Sequence, residues 1–148
     1  MKSQTANMRS LAALLEHDLG LISGARETGP NCAKSVFLHT GKVFLRALAK
    51  DLGLRDARVT SNAAGFGVSG SCTLSGMWDN GGLYICLEQF FGGSRNVMLY
   101  RTIRDGHDHK GGHNHFLRVD DLRKYSYEEL LRELSSLRKD GASYERAA

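Results

Sequence analysis

Apolar positions recur along the chain with two periods, helical on both flanks and strand-like in the middle. From Asn7 to Leu19, the residues Met8, Leu11, Leu15 and Leu19 share one helical face. A second helix is expected to begin at Asn31, an N-cap just after Gly29-Pro30, and to run to Leu52. Its stripe is Val36, Phe37, Phe44, Leu48 and Leu52, broadened by Val43, Leu45 and Ala47. Gly41 is a mild break inside it and marks close packing against a neighbour. Both helices close on the same phrase, LEHDLGL and LAKDLGL. Gly at C′ followed by Leu at C″ signals a Schellman stop with its hydrophobic contact. Two copies without a third do not make a helical repeat protein, so convergent capping is the better account.

From Arg58 onward the period becomes two. Phe66, Val68, Cys72 and Leu74 alternate with Gly67, Ser69, Ser71, Thr73 and Ser75, which predicts a half-buried strand with a hydroxyl-rich outer face. Asp79-Asn80-Gly81-Gly82 predicts a hairpin turn placing Trp78 against Leu83, Leu74 against Leu87 and Ser75 against Cys86. That register keeps Leu74, Trp78, Leu83, Ile85 and Leu87 on one face. A third strand is expected over Val97 to Arg104 and a fourth over Phe116 to Val119. The last helix opens on Ser126 and Glu129, a capping-box pair, and carries Leu130, Leu134 and Leu137 with Tyr127 and Leu131 beside them. After Asp140 the sequence turns polar. Two N-terminal helices, a roughly four-stranded antiparallel sheet and one C-terminal helix predict a single α+β domain over 1–148, with flexible ends at 1–6 and 140–148.

Composition narrows the class without naming a function. The chain has 148 residues, 41% hydrophobic and 24% charged, enough for one ordinary core without staples. No apolar run approaches the roughly 20 residues of a membrane span, and the N-terminus lacks a signal-type apolar stretch. The expectation is a cytoplasmic protein with no membrane partner. Cys32, Cys72 and Cys86 suit a reducing compartment, and the hairpin pattern sends Cys72 and Cys86 to opposite faces. A net charge of +4 permits contact with nucleic acid or an acidic protein surface and requires neither. It counts against mimicry of DNA.

Reactive side chains crowd in one place, DGHDHKGGHNH from Asp105 to His115, which holds four of the six histidines. A hairpin turning through Lys110-Gly111-Gly112 would set His109 opposite His113 and His107 opposite His115. All four imidazoles would then share one face, within reach of one metal ion. Zinc or another transition metal suits neutral imidazole, with Asp105 orienting a ligand from behind. The plain alternative is a solvated, glycine-loosened loop. His113-Asn114-His115 also spells HNH, but that nuclease motif spreads its residues across a ββα unit. Only Asp120, Asp121 and the helix after Ser126 could complete one here.

Elsewhere, Lys42, Arg46 and Lys50 recur every four residues with His39 nearby, either a phosphate or acidic-partner contact or the solvated face of an amphipathic helix. Ser69, Ser71, Thr73, Ser75, Tyr84 and Glu88 would line the outer face of the first hairpin, with Tyr84 a potential stacking platform. Solvent exposure of an ordinary sheet is the plainer reading, since RNA-recognition sheets show more aromatics. The glycines of NAAGFGVSG lead into a strand rather than a helix, the wrong context for a phosphate loop. A bulge or close backbone approach explains them more simply. No nucleophile motif, Walker loop or Cys-x-x-Cys pair is present.

The segments FLRALAKDLGL, SNAAGFGVSGSCTLSG and GGLYICLEQ, between Phe44 and Gln89, resemble small uncharacterised proteins of bacterial plasmids, phages and integrated elements. YRTIRDGHDHKGGHNHF, Tyr100 to Phe116, is similar to their second recurring block, in which the GG-x-N-H portion recurs and the first two histidines do not. The resemblance covers about half the chain. It gives Gly111, Gly112, Asn114 and His115 more weight than the four-histidine pattern, and it implies an inhibitor of host defence, of which anti-CRISPR proteins are one kind.

The leading expectation is therefore a non-enzymatic binding protein that occupies a host protein or nucleoprotein. Its expected contacts are Lys42, Arg46, Lys50, Arg104, Lys110, Asn114 and His115. One rival is a metal-dependent nuclease or hydrolase using His107, His109, His113 and His115. Another is a nucleic-acid-binding accessory protein.

Overall fold

The computed structural model describes residues 33–63, 70–88, 96–104, 113–118, 121 and 124–147. The helix expected over Asn7 to Leu19 and the Asn31 cap lie outside them. The first described helix, α1 (Ala33–Asp51), buries Phe37, Phe44, Leu45 and Leu48. Full burial of such side chains contributes about 1.5–3 kcal/mol each. The sequence stripe also places Val36 and Val43 inside, yet they are 41% and 37% exposed. At about 100° per residue, both positions lie more than a quarter of a turn from the Phe37–Phe44–Leu48 line. α1 then stops as its last phrase predicts. Gly53, at φ 68°, donates its N–H to the Lys50 carbonyl, and Leu54 donates to that of Ala49, each at 3.1 Å. This pair of bonds is the Schellman motif.

Among the described residues the sheet has five strands rather than roughly four, in the order β1 (Arg55–Asn62), β2 (Ser71–Met77), β3 (Gly82–Glu88), β4 (Asn96–Ile103) and β5 (His115–Arg118). Every neighbouring pair is antiparallel. The added strand is β1, whose sequence RDARVTSN carries one partly buried apolar residue, Val59, and so shows almost no alternation. In the β2–β3 hairpin, Leu74 faces Ile85 and Ser75 faces Tyr84, two residues from the expected pairing with Leu87 and Cys86. An even slip returns every side chain to its expected face, so the core set is unchanged. The turn closes one residue early because the Trp78 N–H donates to the Gly81 carbonyl at 2.7 Å. The Trp78 indole is meanwhile drawn under α1, donating to the Leu52 carbonyl at 2.8 Å.

α1 packs on β1 and β2, and α2 (Tyr127–Ala147) on β3 and β4. Close approach of α1 rests on Gly41, where an added Cβ would come within 2.7 Å of the Cys72 sulfur. α2 begins with the expected capping box. The Glu129 N–H donates to Ser126 Oγ at 3.2 Å and the Ser126 N–H to Glu129 Oε1 at 3.3 Å. Buried Tyr127, Leu130, Leu134 and Leu137 form its inner face, and the helical backbone continues past Asp140 to Ala147. The Tyr127 hydroxyl donates to Asp51 Oδ2 at 2.5 Å, tying the start of α2 to the end of α1. The described residues are thus α+β, with both helices on one face of the sheet.

Candidate functional site

The outward side of α1 is a stripe of five exposed residues, Val36, His39, Val43, Arg46 and Lys50. Their spacing of three and four keeps them on one helical face. Lys42 flanks this stripe and is half-buried, so the expected Lys42–Arg46–Lys50 row is displaced to Arg46 and Lys50 with two valines above them. Among the described residues neither Arg46 nor Lys50 makes an ion pair.

Below Lys50 the stripe runs into a surface recess of about 300 Å³ lined by Arg46, Ala49, Lys50, Leu54, Ala57 and Val59. The Schellman stop creates it. The bond from Leu54 to the Ala49 carbonyl turns the chain back beside the helix, and β1 then forms the opposite wall. Leu54 and Val59 rest on the core and supply an apolar floor, while Arg46 and Lys50 stand at the rim. Sequence reasoning missed this recess. Its one legible signal is the leucine after the helix-stopping Gly53, which marks a close contact at that end.

Of the histidine segment, His113, Asn114 and His115 are described, and they lie at or just before β5, at the other edge of the sheet. Tyr100, not His107, lies opposite His115, and the two rings stack at 5.1 Å with 18° between their planes. The expected hairpin register is thereby corrected. The strands pair seven residues away from it, an odd slip that changes faces. An aromatic contact and the Tyr100 hydroxyl, which donates to Glu133 Oε1 at 3.2 Å, hold this register. His113 is exposed, and His107, His109 and Lys110 lie outside the described residues. No group of three potential metal-ligating side chains occurs among the described residues. Asn114 Oδ1 accepts from Arg101 at 3.1 Å, and Arg104 is half-buried at the end of β4.

The residues expected to bind a partner therefore divide between the two edges of the sheet. Arg46 and Lys50 border β1, whereas Asn114 and His115 belong to β5 and its approach. Four interstrand steps of about 4.8 Å separate those edges by roughly 19 Å. One compact site cannot hold both groups.

The outer face of the sheet departs from the open surface expected of it. Ser71, Thr73, Ser75, Tyr84 and Glu88 are half-buried there, and Cys86 is buried. Thr60 and Thr73 hydroxyls share a 2.7 Å hydrogen bond across β1 and β2. Burial pushes the Tyr84 phenol up to about 12 and, with Glu88 nearby, the Cys86 thiol up to about 11. On the inner face burial likewise raises Cys72 to about 11. Cys72 and Cys86 occupy opposite faces, as expected, and both are free thiols. At neutral pH these groups stay protonated, which makes the thiols poor nucleophiles.

The chain matches no protein-family model, no curated protein and no solved structure. Among the described residues no helix is long and apolar enough to cross a membrane. Geometry and chemistry therefore carry the functional reading.

Proposed function

We propose that the chain is a non-enzymatic binding protein whose working surface is the outer stripe of α1 with the adjoining recess, and that it acts by occupying a surface on a host protein or nucleoprotein. One observation carries this reading. The helix that fills the core with one face displays Val36, Val43, Arg46 and Lys50 on the other. Apolar area beside cations that make no ion pair among the described residues is the composition of a contact surface. The resemblance to mobile-element proteins supports a host defence complex, of the kind anti-CRISPR inhibitors block, as the partner class.

The test is capture of a partner from host extract with the full chain and with a Lys42→Glu, Arg46→Glu double variant. Charge reversal is expected to weaken capture at least about tenfold while the circular dichroism spectrum is unchanged, and chelators are expected to have no effect. Stoichiometric metal with chelator-sensitive turnover would replace this reading by the hydrolase using His107, His109, His113 and His115. Binding to nucleic acid alone, falling steeply with salt, would replace it by the nucleic-acid accessory role.

A further inference from the structure

β1 is an edge strand, and seven of its eight residues are exposed, Val59 being the exception. Its first part is irregular. The register shifts between Arg55 and Arg58, and Asp56 adopts φ 53°, so the backbone there is bent out of the ladder. From Arg58 to Ser61 the pairing with β2 is regular, which leaves a straight outer edge whose backbone groups face no further strand among the described residues. Such an edge is a template for an added strand.

The recess stands directly beside this stretch, with Ala57 and Val59 of β1 in its wall. Its volume of about 300 Å³ is at the lower end of small-molecule pockets, and suits one bulky side chain entering from the surface. Strand side chains alternate, so a segment laid along β1 would send one apolar residue toward Leu54 and Val59. Its same-face neighbours would reach toward Arg46 and Lys50, and its other face would lie beside Arg58 and Thr60.

Charge selects the occupant. Arg46, Lys50 and Arg58 make no ion pair among the described residues, and the only acid on the strand is Asp56. Arg55 is engaged by Asp79 at 3.5 Å and by the Trp78 carbonyl, while Asp51 accepts from Tyr127. The excess is positive, which opposes pairing with a second copy of the same strand and favours carboxylates. We infer that β1 takes up an extended acidic polypeptide segment as an additional strand, with one apolar side chain in the recess and carboxylates meeting Arg46, Lys50 and Arg58. This rests on the reading of α1 and its surroundings as the working surface.

The experiment uses the full chain and a fluorescent peptide alternating glutamate with valine. One control has lysine in place of glutamate, and another has proline at two central positions. Fluorescence anisotropy is expected to show binding of the acidic peptide at least about tenfold tighter than of the lysine peptide, with the proline peptide failing to bind. Amide exchange at residues 58–61 should slow on binding, and an Arg46→Glu, Lys50→Glu variant should lose about tenfold in affinity. Absence of binding up to about 1 mM overturns the inference. So does equal binding of the proline peptide, or self-association of the chain in sedimentation with protection confined to β1. If partner capture from extract still depends on Lys42 and Arg46 in those cases, strand addition alone has failed. If capture is also insensitive to them, the functional reading has failed as well.

Discussion

The two edges of the sheet solve the same problem in different ways. β5 is four residues long and tied at both ends. His115 is stacked on Tyr100 at its start, and the Arg118 N–H donates to Asp121 Oδ2 at 2.9 Å at its end. A short edge tied at both ends offers little to a passing strand. β1 has twice that length, is exposed but for Val59, and among the described residues is guarded only by a bend at Asp56 and by like charges. Charge repels a second copy of the chain yet attracts an acidic partner. Protection by charge thus doubles as selectivity, whereas protection by brevity does not. The contrast separates an edge built for closure from one suited to binding.

The strongest way to break this contrast is to lift α1 off the sheet. A Gly41→Val substitution drives a branched side chain into Cys72, whose sulfur is held by a 3.3 Å hydrogen bond to the Leu38 carbonyl. It is expected to cost about 3 kcal/mol in urea unfolding through overpacking, and to weaken binding at the β1 recess while leaving the β5 contacts in place. An unchanged midpoint would show that the helix is seated less closely than Gly41 implies.

A smaller effect is expected at β5. Asp121→Ala removes the acceptor for the Arg118 N–H and should cost about 1 kcal/mol, with faster amide exchange at Arg118 and none of the change at residues 58–61. Exchange rising equally at both edges would mean that they are not independent.

The smallest expected effect comes from the sheet between them. Burial raises the Glu88 carboxyl above its ordinary value of 4.5. A carboxyl whose folded pKa is raised favours the fold when protonated, and that contribution is lost as pH rises through the folded value. Glu88→Gln should therefore be more stable than the parent at neutral pH, with the difference shrinking toward zero below the carboxylate range. Thermal midpoints at acid and neutral pH measure it, and both edges should behave as in the parent.

Much of this architecture was legible in the order of residues, and the failures have identifiable causes. The Gly53-Leu54 stop, the Ser126–Glu129 box and the Gly41 contact appear as expected, because each is decided within a few residues or by a missing Cβ. Val36 and Val43 were misplaced because hydrophobicity does not report which side of a helix meets the sheet. β1 escaped notice because an edge strand needs only one inward apolar residue, and Val59 alone makes no pattern. The basic row was visible, but its displacement toward the valines and its junction with the recess were not.

By itself the sequence determined the α+β class, the caps, the inner faces of the hairpin and the separation of Cys72 from Cys86. Those follow from local periodicity and from the two-residue repeat of strands, which survives an even slip of register. Tertiary structure alone decided that His115 meets Tyr100 rather than His107, and that Leu54, Ala57 and Val59 close a recess against α1. It also decided that the candidate contacts fall on opposite edges of the sheet. Strand order and cross-strand register depend on contacts between residues far apart in the chain, and no local pattern encodes the distance between them.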